Sequence, residues 1–340
     1  MRLLLIDHLS PEGHKKFDEI HISALHDLGH EVTLIGRNGH FPSFENMDDI
    51  RIVTFPEWSF RPLPLKPLSE RLFGIFRLLW LLFHVKFKDY DAVVLLSYDV
   101  LSLFMFRIRK DVFLINHNNV SQINNSKIKL LLTRTLPNNY KHVALNEMME
   151  KRLKELLPYK TIVYVPHGIF LQNGDSSKPD FIDEGKKFLF CPVNRNYDAE
   201  FVKKLLGSTI ITDYLEKNNL VLYVKKSIEL SRNSNSIRHI TTFLTDKEYE
   251  YMIEKAQAVI LPYSDGFKYR CSGILFECIA RNTYVISTRI PDMEIYRDKA
   301  KISFFSSDKE FVECLMGNDV KLISNSSVFD VRQYWKKILG

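Results

Sequence analysis

The chain has 340 residues and a formal net charge of +6, with 45% hydrophobic and 26% charged residues, a composition of soluble globular proteins and long enough for two ordinary domains. Its Lys and Arg are scattered, with no long basic run or aromatic–basic stripe, so no nucleic-acid partner is expected; an anionic substrate or membrane face suits the charge better. Cys191, Cys271, Cys278 and Cys314 form no Cys-x-x-Cys pair, which points to thiols of a cytosolic protein and to neither zinc nor a disulfide framework.

The opening apolar run is too short for a signal peptide, and Arg2 to Ile6 reads as a buried strand. The loop Asp7 to His14 follows, then a helix from about Lys15 to Leu28 stopped by Gly29, and a second strand, Glu31 to Ile35. Gly13 fits a plain turn and a ligand contact equally. The loop lacks a full Gly-x-Gly-x-x-Gly, which argues against a nicotinamide-dinucleotide fold. Arg51 to Phe55 gives a third strand, and Pro56, Pro62, Pro64 and Pro67 interrupt what comes next. Ser69 then caps a helix dense in Leu, Phe and Trp; Arg77 interrupts it and His84, Lys86 and Lys88 close it. It falls short of the ~20 apolar residues that span a bilayer. Packing in the core is one reading of Leu72 to Val85; lying on a membrane surface with flanking cations is the other.

Alternation continues with strand Ala92 to Leu96, helix Val100 to Ile108, strand Val112 to Asn116 and helix Lys127 to Thr135. Strand Val143 to Leu145, helix Met148 to Leu157 and strand Thr161 to Val165 complete the first half. His117 stands at the carboxyl end of a strand, where a capping histidine and a functional one both fit. Pro166-His167-Gly168 closes the last strand as a turn, and Gln172 to Lys187 is a polar linker.

Phe188 to Cys191 restarts the pattern, followed by a loop carrying Arg195, helix Ala199 to Leu206 and strand Leu220 to Val224, which ends at Lys225. Ile240 to Leu244 is a further strand, with Phe243 and Leu244 at its end; Thr245 and Glu248 have capping-box spacing for the next helix. Val259 to Leu261 then stops at Pro262, and a loop containing Tyr269 and Arg270 leads to Ser272-Gly273. The segment Ile274 to Ala280 is apolar except at Glu277, and strand Tyr284 to Ser287 follows it. N–H groups in the first turn of such a helix lack internal partners and meet the positive dipole end, which suits a diphosphate. Gly273 allows close approach, and Glu277 shares its helix face. A carboxylate on a buried helix needs a hydrogen-bonding partner, which ribose hydroxyls beside a diphosphate would supply. Strand Lys301 to Phe305, helix Asp308 to Met316 and the amphipathic end Ser327 to Leu339 finish the chain.

Leu261-Pro262-Tyr263, Ser272 to Ala280 and Val285-Ile286-Ser287 together resemble the donor-site signature of GT-B glycosyltransferases, especially the family 4 group. That group usually has Glu, seven residues, Glu; here Glu277 is the second and Tyr269 stands at the first. The resemblance implies an α/β protein of two Rossmann-like domains facing across a cleft, with the C-terminal helix returning to the first. The division is 1–171 for the acceptor, 172–187 as linker, 188–325 for the nucleotide-sugar donor, and 326–340 as the returning helix. It implies Ser272, Gly273 and Glu277 on the diphosphate and ribose, with Tyr269 and Arg270 in the same loop. Arg195 and Lys225 would be its cations, Phe243 and Leu244 would touch the base, and Gly13 would face the cleft. His117 would lie beside the sugar, making His117 and Glu277 the catalytic candidates.

Fixed charge where the leaving diphosphate develops would make the reaction metal-free. Asp89-Tyr90-Asp91 spells a metal-holding Asp-x-Asp, but it precedes a strand, away from the ligand end, so it reads as turn residues and no metal or other cofactor is expected. The implied function is transfer of a sugar to a glycan or lipid-linked acceptor in bacterial surface polysaccharide or glycoconjugate synthesis, in the cytoplasm and peripherally on its membrane face. Tyr269 keeps open the alternative of a non-catalytic nucleotide-sugar-binding or scaffold subunit.

Overall fold

The computed structural model describes residues 1–61, 68–169, 176–192, 199–225, 235–317 and 326–340. They form two compact units: Met1–Gly168 with Tyr269–Cys271 and Ser327–Gly340, and Ile169–Lys268 with Ser272–Ser326.

The first unit is built on β1 (Arg2–Asp7), β2 (Glu31–Gly36), β3 (Arg51–Thr54), β4 (Ala92–Ser97), β5 (Asp111–Ile115), β6 (Tyr140–Ala144) and β7 (Ile162–Tyr164). They hydrogen-bond in the order β3-β2-β1-β4-β5-β6-β7, every pair parallel. Leu3 to Ile6 and all of β4 are buried, as continuous apolar strands covered on both faces must be. The order reverses between β1 and β4, so Asp7 and Ser97 stand together at a topological switch point.

The second unit repeats the plan with β8 (Lys187–Cys191), β9 (Leu220–Lys225), β10 (Ile237–Ile240), β11 (Ala258–Leu261), β12 (Val285–Thr288) and β13 (Ile302–Phe305). Its parallel order is β10-β9-β8-β11-β12-β13. Leu189, Leu222, Ile260 and Ile286 anchor its own core. The helix Val331–Leu339 belongs to the first unit, as the family resemblance implied: Trp335 is fully buried there and donates from Nε1 to His21 Nδ1 at 3.1 Å.

Several elements differ from the sequence expectation. β10 lies at Ile237–Ile240 rather than 240–244, because Phe243 is 91% exposed and continues no buried strand. The helix expected over 100–108 ends at Leu103; the Tyr140 hydroxyl donates to the Phe106 carbonyl at 2.8 Å and draws the following segment into the core. Helices Asn119–Asn125 and Thr209–Lys217 fall where none was anticipated. Residues 176–187 carry tertiary contacts inside the second unit: Arg238 donates to Asp183 at 2.8 Å and Phe181 packs on Tyr223. Asp91 accepts from the Arg2 N–H at 2.7 Å, which ties the Asp-x-Asp sequence to the amino end of β1.

Candidate active site

In the second unit, β11 ends at Leu261 and Tyr263 turns inward, stacking on Phe267 with ring centroids 3.9 Å apart. The Tyr263 hydroxyl and Ser272 Oγ lie 2.6 Å apart, and Ser272 Oγ accepts from the Leu275 N–H at 3.1 Å. Ser272 is thus the N-cap of helix Gly273–Ala280, held from below by a buried tyrosine. Thr288 donates to the Tyr263 carbonyl at 2.7 Å and Ser287 to the Leu261 carbonyl at 3.1 Å, fixing the loop against the end of β12. A Cβ built on Gly273 would meet no atom within 4 Å, so the helix start is open on that side. The helix buries Leu275, Phe276 and Cys278 while Ile274, Ile279 and Ala280 are half-buried; it is covered on one side rather than all round. The half-buried Glu277 lies against the Tyr249 hydroxyl. Burial first, and then the charge of that carboxylate, hold the Tyr249 phenol well above its ordinary range. The protein itself therefore supplies one hydrogen-bonding partner for Glu277, where the sequence argument looked only to a ribose.

Three of the other expected donor residues stand at the end of β9 or after β10. Lys225 ends β9 half-buried, Leu244 is buried in the core, and Phe243 stands almost fully exposed beyond β10. Arg195 lies outside the described residues. Tyr269 and Arg270 group with the first unit and not with Ser272–Gly273. There Asn146 caps helix Glu147–Leu156 through Oδ1 and donates from Nδ2 to the Arg270 carbonyl at 3.0 Å. Tyr269 has φ +58, in the left-handed region that few non-glycine residues adopt, and its ring lies 5.7 Å from the Arg152 guanidinium carbon.

The first unit gathers polar groups at the carboxyl ends of its strands. His117 follows β5; its Nε2 donates to the Leu96 carbonyl at 2.9 Å, so Nδ1 is the free lone pair of a neutral ring. Burial first, and then the neighbouring His14, keep its pKa well below the usual histidine value. The rings of His14 and His117 are 4.1 Å apart, and Phe17 packs on His21, His117 and His167. Gly13 is exposed in the same loop, with open space at its Cβ position. Beside them Asp7, Asp18 and His40 are buried together: His40 Nε2 is 3.1 Å from Asp7 Oδ2 and 2.9 Å from Asp18 Oδ2. Their donor atoms lie within 4.8 Å of one another, close enough to grip a cation. Their contacts also shift one another: the two carboxyl groups raise His40, His40 helps to lower Asp7, and burial raises Asp18. Asp7, Asp18 and His40 carry no signal in the sequence, since a strand-end Asp, a helix Asp and a loop His share no spacing. An open pocket of about 460 Å³ beside His40 is lined by Arg37, Asn38, Glu45, Asn46 and Ile52.

No family model matches the chain, and no curated protein does. Solved structures do match over essentially the whole length. Anabaena HepE in complex with UDP and glucose superposes with TM-score 0.61 at 12% identity, covering 100% of this chain and 98% of that one. The lipopolysaccharide outer core galactosyltransferase WaaB gives 0.55 at 13%, covering 100% and 99%. The UDP-GlcNAc 2-epimerase of Methanocaldococcus jannaschii gives 0.61 at 13%, again covering 100% and 99%. The architecture is the GT-B fold, two Rossmann-like domains of parallel sheet, shared by glycosyltransferases and at least one sugar-nucleotide epimerase.

Proposed function

We propose that this protein is a glycosyltransferase that moves a sugar from a nucleotide-diphospho-sugar to a glycan or lipid-linked acceptor, in bacterial surface polysaccharide or glycoconjugate synthesis. One observation carries the reading: helix Gly273–Ala280 begins at a tyrosine-braced serine cap with open space at Gly273, and a carboxylate stands one turn on. Backbone N–H groups and the helix dipole there favour the diphosphate, and Glu277 takes the ribose while Tyr249 steadies it. Arg195, Lys225 and Arg270 are the cations in this scheme, Phe243 and Leu244 the base contacts, and Tyr269 a loop residue of the donor site. The leaving group is stabilised by fixed charge, so no metal is needed. In the first unit the polar pocket beside His40 suits an acceptor sugar, Gly13 borders the same end, and His117 offers Nδ1 to a hydroxyl. The structural similarity to HepE, solved with UDP and glucose, and to the galactosyltransferase WaaB supports the general class. The cytoplasmic face of the membrane is where a lipid-linked acceptor would be met.

Thermal-shift titration with nucleoside diphosphates and their sugars tests this. Wild type should be stabilised by one of them, and Glu277→Ala should weaken that ligand by roughly tenfold or more, the range for a charge-assisted hydrogen bond. Slow release of free nucleoside diphosphate, lost in the variant, marks an enzyme. No shift with any nucleotide sugar sinks the proposal. Tyr269 in place of the first family Glu favours a second reading, a binding subunit without turnover, which predicts the same shift and no release.

A further inference from the structure

Helix Leu68–His84 in the first unit turns two faces to different surroundings. Gly74, Leu78 and Leu81 face inward; a Cβ on Gly74 would come within 2.9 Å of Ser102 Oγ, so glycine lets helix Val100–Leu103 pack close. Arg77 also points in: its guanidinium donates to the Ser59 carbonyl and lies 4.2 Å from the Phe60 ring centre. It does not interrupt the outer face, which therefore reads Leu72, Phe76, Leu79 and Phe83, at spacings of four, three and four. Phe76 is 53% exposed and Phe83 84%. Trp58, also exposed, leans over this face with its ring centroid 6.4 Å from Phe76. Helix Val100–Leu103 touches both this helix and helix Lys127–Arg134, where Ile128 is 69% exposed and Leu131 is exposed too. Apolar surface of this kind on a folded domain marks an interaction site.

The charge around it identifies the partner. From Leu68 to Lys88 the one acid is Glu70, and from Val100 to Lys110 and from Lys127 to Leu136 the chain has no Asp or Glu. Lys86, Lys88, Arg107, Arg109, Lys127 and Arg134 are exposed within or beside those stretches. A second copy would set basic face against basic face across a two-fold axis, where like charges repel. An anionic surface offers both an apolar layer and complementary charge. No helix among the described residues is long and apolar enough to cross a membrane. We propose that the face formed by helix Leu68–His84, Trp58 and helix Lys127–Arg134 docks on an anionic lipid bilayer. The helix lies in the interface plane, its aromatic side chains in the headgroup boundary and its cations among the lipid phosphates. This goes beyond the donor reading and would stand if that reading failed.

Cosedimentation with vesicles of equimolar phosphatidylglycerol and phosphatidylcholine, against pure phosphatidylcholine, tests it at about 0.1 M and about 0.5 M salt. Wild type should pellet with the anionic vesicles and less so at the higher salt. Phe76→Asp/Phe83→Asp should weaken partition by about tenfold or more at an unchanged melting temperature, since both residues are exposed. Lys86→Glu/Lys88→Glu, which keeps every apolar side chain, should weaken it by about tenfold or more on anionic vesicles. The proposal is overturned if wild type pellets no better with anionic lipid than without vesicles, or if both variants partition as wild type does. It is equally overturned if light scattering finds a dimer that Phe76→Asp/Phe83→Asp dissolves. Nucleoside-diphosphate binding measured on the same preparations keeps this outcome separate from that of the donor site.

Discussion

His40 is held between two carboxylates with nowhere for its charge to go but onto them. Burial alone would lower its pKa; the hydrogen bonds that His40 donates to Asp18 and Asp7 outweigh burial and push it up to about 9. Burial works to raise the Asp7 carboxyl, yet its contacts with His40, Asp18 and Ser97 bring it well below the usual carboxylate range. Burial first, and then the charge on Asp7, push the Asp18 carboxyl well above its ordinary value. The sign for His40 follows: its folded pKa exceeds the reference 6.5, so its contribution is complete below about 6.5 and lost as pH rises through about 9. Wild-type melting temperature should therefore fall from neutrality through that range, measured in buffers of matched ionic strength. His40→Gln should cost about 3–5 kcal/mol at neutral pH, the size expected when one partner of a buried charge set is removed. It should also flatten the alkaline slope; an unaltered slope would assign the fall to other groups. None of this was legible in the sequence, because Asp18 and His40 are 22 residues apart and meet only through the fold. The same holds for Asn146, whose contact with Arg270 spans 124 residues.

At the scale of elements, the helix Gly273–Ala280 owes its fixed start to one serine with two duties. Ser272 Oγ caps the Leu275 N–H and also partners the buried Tyr263 hydroxyl. Ser272→Ala should cost about 1 kcal/mol for the cap, and a further 1–3 kcal/mol, roughly, for the stranded phenol. In a Tyr263→Phe background only the cap is lost, so Ser272→Ala should then cost about 1 kcal/mol. Urea unfolding of the four proteins gives the coupling directly, and additive costs would mean that the two hydroxyls do not act together. This βαβ stretch was readable because its strands are continuous apolar runs and its loop is bounded by Pro262 and Gly273. Reading failed where apolar residues serve no strand or helix: Phe243 extended β10 on paper but lies in solvent. Tyr140 shortened a helix it does not belong to. In helix Leu68–His84, Arg77 interrupts the apolar run in sequence, yet the fold buries it.

On the scale of the whole molecule, the first unit takes in both end segments of the chain, Met1–Gly168 and Ser327–Gly340, together with Tyr269–Cys271. The fastening is specific. Helix Val331–Leu339 is capped by Asp330, buries Val331 and Trp335 at i and i+4, and sets Tyr334 against Tyr164 with centroids 5.2 Å apart. Trp335 also packs edge-on to Phe113 of β5, at 5.6 Å. The periodicity of these residues exposed an amphipathic helix in the sequence; the indole bond to His21, 314 residues away, was not visible there. Trp335→Ala should remove about 3–5 kcal/mol, as large buried side chains do, and leave His21 without a donor. Because the second unit has its own core around Leu189, Leu222 and Ile260, the loss should be local. Amide exchange should speed up across β1 to β7 in Trp335→Ala while β8 to β13 keep wild-type protection. Equal acceleration in both sheets would mean that the units unfold as one, and the division of this chain into separately stabilised halves would have to be abandoned.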